Sequence, residues 1–392
     1  MSRFHSHLSN SVKLIESYNL GVPLSQHLKL FFSQQKKFGS KDRKIISTVC
    51  YHYFRCAKLF DKQTPIDQAI LFSIFLCEKK ESEFLSVLSP ALNRLVHLGT
   101  PEKIRHIEID TERFFAFDNY LSDQIDAIAY SKSFLIQPAL FVRIRPKKHI
   151  AVINALDKSE IKYETIAEST LKIINGVSLD KCLRINKDVV IQDYNSQKVF
   201  DFLSENDFLK FNQSKVRIWD TCAASGGKSI LLHDIFKGNI KLTVSDNRLS
   251  ILKNLSNRLL EAGVSMFKKF AQDISVKSGL SPSEKFDIVV CDVPCSGSGT
   301  WSRTPEQHFS FSKKKLPFFV NKQKEIVANV IQHIANNGLL FYITCSVFKE
   351  ENEDVVGFLK SNYPFEVLKM EYLKGYEKEA DTMFVAVLRS PL

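Results

Sequence analysis

The sequence predicts an α/β chain in two main parts, an all-helical segment followed by a doubly wound, mostly parallel sheet. Three observations predict it. Over roughly the first 130 residues, apolar side chains recur at three- and four-residue spacing and no strand alternation interrupts them. From Val216 onward, short apolar runs alternate with helical stretches at the spacing of βαβ units. The length, 392 residues, exceeds what a single hydrophobic core organises.

Composition narrows the class. With 44% hydrophobic and 25% charged residues the chain can bury a core, which excludes wholesale disorder, collagen and a small disulfide scaffold. A net charge of +11 favours an anionic partner, nucleic acid or a membrane surface. The opening Met-Ser-Arg-Phe-His-Ser-His-Leu has no apolar signal region, and the longest apolar stretch, around Ala69 to Cys77, is far short of a membrane span. The expectation is a cytoplasmic protein, with no membrane partner, whose eight cysteines are reduced. Cys291 and Cys295 form a C-x3-C without a second Cys or His pair at ligand spacing, so no metal is expected.

In the helical part, Ile45, Ile46, Val49, Cys50, Tyr53, Phe54 and Ala57 form one apolar stripe over Lys41 to Phe60, with Ser40 as the expected N-cap after a break at Gly39. Further helices are expected over Ile66–Glu81, Glu83–His97 and Asn119–Ser131, and Cys50, Cys56 and Cys77 read as core. Residues 1–60 carry ten Lys/Arg against two acids, Glu16 and Asp42. That is either a solvated helix face or a nucleic-acid footprint.

A short α/β stretch follows from Pro138 to Val190, opening with the strand-like Ala139–Ile144 and a basic run, Arg143, Arg145, Lys147 and Lys148. Then come the strands Val216–Trp219, Leu242–Ser245, Phe286–Cys291 and Gly338–Thr344. Phe365–Met370 and Met383–Leu388 read as an antiparallel edge pair.

The first of these strands runs into Asp220-Thr-Cys-Ala-Ala-Ser-Gly-Gly-Lys228 and a helix over Ser229–Phe236, the position where doubly wound sheets bind nucleotides. A Walker A loop needs Gly six residues before the Lys, where Cys222 stands, and G-x-G-x-x-G is absent. S-adenosylmethionine is the third reading, because its site needs close backbone approach without a phosphate cradle. Asp246, twenty residues past Gly226, ends the next strand and suits ribose hydroxyls. Asp273 ends the third strand where an adenine amino group would lie.

The fourth strand gives Cys291-Asp292-Val-Pro294-Cys295-Ser-Gly297-Ser-Gly299, and the fifth gives Thr344-Cys345-Ser346. Both Cys295 and Cys345 therefore sit past the carboxyl ends of central strands. They are either a packed pair or a reactive one. Reactive thiols there suit a specific chemistry. A pyrimidine C5 is too poor a nucleophile to take a methyl group directly, but a thiolate adding at C6 makes the ring enamine-like. Asp292 could stabilise that adduct around N3 and N4, and a base must then remove the C5 proton.

With these residues in view, Asp220–Lys228, Asp292–Gly299 and Thr344-Cys345-Ser346 followed by Glu350-Glu351-Asn352-Glu353 resemble the Nop/Sun (Fmu) family of RNA cytosine-5 methyltransferases. Phe141–Lys148, Ile191–Gln197 and Met383–Leu388 are secondary matches, and Ser40–Arg55 resembles the NusB-like helical domain of the bacterial small-subunit rRNA branch. The resemblance implies a class I Rossmann-like methyltransferase domain with a mostly parallel seven-stranded sheet, preceded by an all-α NusB-like domain. The domains would be a helical NusB-like RNA-binding domain at 1–135, a small α/β connecting subdomain at 136–200 and the methyltransferase domain at 201–392.

The resemblance further implies that Cys345 is the nucleophile, that Cys295 assists product release, and that Asp292 serves the base. Cys222, Ala223, Ala224, Ser225, Gly226, Gly227 and Lys228, with Asp246, Asp273 and Asp292, would hold S-adenosylmethionine. Two positions depart from the family pattern: Ser225 stands where proline is usual, and Ile251 where an arginine often follows the ribose-binding acid. The implied activity is cytosine-C5 methylation of 16S rRNA by a monomer. Methylation of tRNA, or an inactive RNA-binding ribosome-assembly factor, are the alternatives.

Overall fold

The computed structural model describes residues 2–110, 118–206 and 215–391. They divide into two compact units, one gathering Met1–Leu121, Asp126–Gln137 and Thr300–Ser312, the other Ser122–Ile125, Pro138–Gly299 and Lys313–Leu392. No helix among the described residues is long and apolar enough to cross a membrane.

The first unit is helical. Arg3–Glu16, Leu24–Gln34, Ser40–Cys56 and Ile66–Cys77 close on a core that includes Leu14, Leu24, Phe32, Ile46, Cys50, Phe54, Ile70 and Phe75. The expected stripe is the buried face of Ser40–Cys56, but its cap is one residue earlier. Gly39 is the N-cap, and its N–H donates to Asp42 Oδ2 at 3.1 Å. The helix expected over Glu83–His97 is two short ones, Glu83–Leu88 and Pro90–Arg94, because Ser89 before proline leaves the helical region at φ −150° and ψ 76°. The helix expected to begin at Asn119 runs instead over Ala127–Ser133, capped by Asp126, whose side chain accepts from the N–H groups of Ile128 and Ala129.

Composition and spacing did not show that Thr300–Ser312 packs with these helices. Its short helix Pro305–Ser310 brings Phe309 onto the ring of Phe54 at 5.7 Å between centroids. Arg55, 2% exposed, holds the segment through backbone carbonyls, donating to Phe134 O at 2.9 Å and Ser302 O at 2.5 Å, and also to the side chain of Gln137. A buried guanidinium is tolerated because its donors are satisfied.

The second unit contains two sheets. The smaller has β1 (Leu140–Ile144), β2 (Tyr163–Ala167), β3 (Thr170–Ile173) and β4 (Val189–Ile191) in the order β2-β3-β1-β4, every pair antiparallel. Val152 and Leu156 of helix His149–Lys158 pack on Val142, Ile144 and Leu171.

The larger sheet has β5 (Val216–Asp220), β6 (Ile240–Asp246), β7 (Phe267–Ala271), β8 (Phe286–Asp292), β9 (Ile334–Thr344), β10 (Glu366–Leu373) and β11 (Met383–Arg389). Their order is β10-β11-β9-β8-β5-β6-β7. β5 to β9 are parallel, and β10 and β11 join antiparallel, the arrangement expected of them. This is the seven-stranded, mostly parallel Rossmann-like sheet. The central strands are buried on both faces, which is why they read as continuous apolar runs such as Ile288–Cys291 and Leu339–Ile343. The order reverses between β5 and β8. Ligands of such sheets bind outside the carboxyl ends at that reversal.

Candidate active site

Asp220 closes β5 and Asp292 closes β8, so both acids flank the reversal point. The loop between β5 and helix Gly227–Ile235 turns sharply, with Ala224 at φ 45° and Gly226 at φ 80°. A side chain at Gly226 would be strained in that left-handed conformation and would also press on Leu255, whose Cγ lies 3.3 Å from the Cβ position. The turn opens a cleft of about 440 Å³ lined by Cys222, Ala224, Asp246, Asp273, Asp292, Cys295 and Cys345 among the expected residues. Ala223, Ser225, Gly226, Gly227 and Lys228 shape the loop without lining the cleft. Thr221 and Pro294, inside the quoted motifs, also line it, as do Arg248, Gln272, Ile274, Phe318, Lys322 and Ile326, which no motif covers.

Each acid has distinct company. Asp246 is 4% exposed. Its Oδ2 accepts from Ala224 N–H at 3.1 Å and Arg248 Nη2 at 3.0 Å, and its Oδ1 from Arg248 N–H at 3.0 Å and Nε at 2.9 Å. Burial raises its pKa, but the hydrogen bonds and charge of Arg248 outweigh that and hold it below the ordinary value. Asp273 is likewise lowered, first by its hydrogen bond from Ser275, and Lys322 Nζ lies 3.5 Å from its Oδ2. Asp220 is pushed up to about 6 by burial, although Ser229 Oγ donates to its Oδ2 at 2.7 Å.

Lys228 donates to Asp292 Oδ2 at 2.6 Å. Burial opposes the ammonium, yet the Asp292 charge and hydrogen bond keep its pKa above the usual lysine range. The loop's departure from proline has a structural counterpart. Arg258 Nη1 donates to Ser225 Oγ at 2.8 Å and to Ser225 O at 3.2 Å, so hydrogen bonds pin the position a proline ring would stiffen.

Beyond β8 and β9 the two cysteines meet, Cys295 Sγ and Cys345 Sγ 3.3 Å apart, one thiol donating to the other. The Cys295 thiol is pushed well up, first by that bond and then by burial. Gly299 lies between the loops. Its N–H donates to Cys345 O at 2.8 Å, and its carbonyl accepts from Thr382 N–H at 2.9 Å. Glu351, fully buried, accepts from Ser296 and Ser346, the residues that follow each cysteine. The sequence signal for it was the Glu350-Glu351 pair that trails Thr344-Cys345-Ser346.

The basic run is not all surface. Arg143 and Arg145 are buried on Asp234, with Arg143 Nη1 at 2.6 Å and Arg145 Nη2 at 2.5 Å. Burial alone would raise the Asp234 pKa; the adjacent His233 ring, the hydrogen bond from Arg145 and the charge of Arg143 reverse that and hold it well below the carboxylate range. The two guanidiniums neutralise a buried carboxylate and are not offered to an anionic ligand. Lys147, Lys314 and Lys315 remain exposed.

The cleft at the reversal point, with acids at successive strand ends, has the layout of a Rossmann-like fold. Residues 208–388 match the family model described as 16S rRNA methyltransferase RsmB/F. It is 26% identical over 216 residues to the probable ribosomal RNA small subunit methyltransferase B of Bacillus subtilis, covering 54% of this chain and 46% of the relative. It is 30% identical over 146 residues to the ribosomal RNA small subunit methyltransferase F of Vibrio cholerae, covering 37% and 31%. The matched part thus spans less than half the length of these relatives. Among solved structures, that of PH0851 superposes with a TM-score of 0.71 at 18% identity over 96% of both chains. NSun6 from Pyrococcus horikoshii, solved with SFG, gives 0.56 at 15% identity over 67% of this chain and 94% of that one. Both likenesses are of fold.

Proposed function

We propose that the chain is an S-adenosylmethionine-dependent RNA cytosine-C5 methyltransferase acting on 16S rRNA. The observation that carries this reading is the pair of thiols 3.3 Å apart in a cleft that also holds Asp246 and Asp273. The dinucleotide and ATP readings fail because the sequence has neither phosphate loop. The names of the relatives support a small-subunit rRNA substrate.

The residues fit the cofactor. Asp246 offers a carboxylate for ribose hydroxyls, Asp273 and Ile274 border the space for an adenine, and the small-residue loop Cys222–Gly227 lets backbone approach. When bound, S-adenosylmethionine supplies an electrophilic methyl group. The chain supplies the rest. Cys345 adds as a thiolate to cytosine C6. Asp292, held by Lys228, accepts from the N4 amino group and stabilises the adduct. As a base takes the C5 proton, the Cys345 sulfur is expelled and Cys295 beside it returns a proton to that sulfur, which releases product. The target base must leave its stack to reach the cleft, so a single-stranded or flipped cytosine is expected. The helical unit, with its excess of Lys and Arg over residues 1–60, is proposed as a NusB-like RNA-binding domain.

Purified protein, methyl-labelled cofactor and unmodified 16S rRNA or tRNA test this. Label at cytosine C5 of 16S rRNA is expected. Label in tRNA alone would move the substrate, and RNA binding with no cofactor binding would make the chain an assembly factor.

A further inference from the structure

We propose that Glu351 is a positioning residue for this reaction: one buried carboxylate that ties the Cys295 loop to the Cys345 loop and sets the approach of the two sulfurs. The inference rests on the methyltransferase reading above.

Its four hydrogen bonds carry the argument. Glu351 Oε1 accepts from Ser296 N–H at 2.8 Å and from Gln323 Nε2 at 2.9 Å, and Oε2 accepts from Ser296 Oγ and Ser346 Oγ, both at 2.5 Å. The serines stand one residue past each cysteine, so both cysteine backbones are anchored to the same carboxylate. Gln323 extends the tie by donating to Pro294 O at 3.0 Å, the residue before Cys295. Tyr342 OH holds the Glu351 carbonyl at 2.5 Å. Ser298 Oγ closes the ring, 3.2 Å from Ser346 Oγ, and accepts from Val347 N–H at 2.9 Å.

A fully buried carboxylate costs several kcal/mol of desolvation unless its lone pairs are filled, and an apolar residue would pack there at less cost. Four donors fill them. The arrangement therefore specifies geometry at the expense of stability, which is what two reacting sulfurs need: misplacement by about 1 Å costs on the order of 100-fold in rate.

The charge has a second effect. Glu351 is a negative neighbour of Cys295 and disfavours its thiolate, after the Cys345 bond and burial. The other titratable groups around the pair are Cys345 itself, Tyr342 on β9, and Lys228, which is bonded to Asp292 and faces Cys345. Removing the Glu351 charge while keeping its shape shifts Cys295 toward the thiolate.

Full-length Glu351→Ala and Glu351→Gln test this in two ways. In methyl transfer, Glu351→Ala lowers kcat about 100-fold and leaves KM for S-adenosylmethionine within about twofold, since Asp246 and Asp273 do not touch it. Glu351→Gln keeps the two bonds at its remaining oxygen and offers its NH2 to the two serine hydroxyls, which can turn to accept, and recovers kcat to within about fivefold. The second readout needs neither RNA nor cofactor. In a Cys345→Ser background, the pH midpoint for iodoacetamide alkylation of Cys295, followed by mass spectrometry, falls by about one unit in Glu351→Gln. An unchanged kcat in Glu351→Ala, a joint collapse of kcat and cofactor affinity in Glu351→Gln, or an unmoved alkylation midpoint would overturn the proposal. If wild type transfers no methyl group, the functional reading falls and the alkylation profile alone decides the role of Glu351.

Discussion

At the scale of single residues, the proposed cofactor site turns on the contest for Asp246. Each of its oxygens already accepts two donors, and three of the four come from Arg248. In the proposed site a ribose hydroxyl would enter by displacing the guanidinium. The Arg248 side chain is 57% exposed, so water can take up its donors as it swings away, and the exchange is feasible. Arg248→Ala frees the acceptors while the backbone N–H groups of Ala224 and residue 248 still hold the carboxylate. Calorimetric titration should show Kd for S-adenosylmethionine falling about three- to fivefold. Weaker binding would make Arg248 a direct contact instead. Asp246, Asp292, Cys295 and Cys345 were legible in the sequence because reactive residue types at successive strand ends converge in any doubly wound sheet. Arg248 and Glu351 were not, because their partners are chosen by tertiary geometry. Arg143 and Arg145 misled for the same reason: their neutralising acid, Asp234, lies some 90 residues along the chain.

At the scale of elements, the cysteine loops depend on how closely backbones approach. A Cβ at Gly299 would lie 2.0 Å from Thr382 O and 3.0 Å from Cys345 O, and neither backbone atom can yield without moving β11 or the Cys345 loop. Gly299→Ala should lower stability by about 1–3 kcal/mol, read as a Tm loss of several degrees, and kcat by about 100-fold. Gly357, exposed in helix Glu353–Asn362 with nothing within 4 Å of its Cβ position, is the control. Gly357→Ala should leave Tm unchanged or raise it slightly. Equal losses in the two variants would contradict the close-approach argument. The strands were legible because buried parallel strands are short apolar runs bounded by turns. The helix break at Ser89 was missed because apolar periodicity continued through it, and Thr300–Ser312 because nothing local in its sequence distinguishes the unit it packs with.

At the scale of the whole molecule, the net charge of +11 acquires a narrower meaning. Arg143 and Arg145 are spent on Asp234, which leaves residues 1–60 and the exposed Lys147, Lys314 and Lys315 as candidates to meet phosphates. RNA affinity should fall steeply with salt, and Lys314→Ala with Lys315→Ala should reduce the log–log slope by about one to two. An unchanged slope would remove that lysine pair from the RNA track. The central claim concerns the thiols, and trapping the covalent intermediate tests it most directly. Denaturing electrophoresis of protein mixed with S-adenosylmethionine and 16S rRNA should show a stable protein–RNA adduct for Cys295→Ala and none for Cys345→Ala. An adduct in Cys345→Ala with none in Cys295→Ala, or no adduct in either variant, would contradict the account.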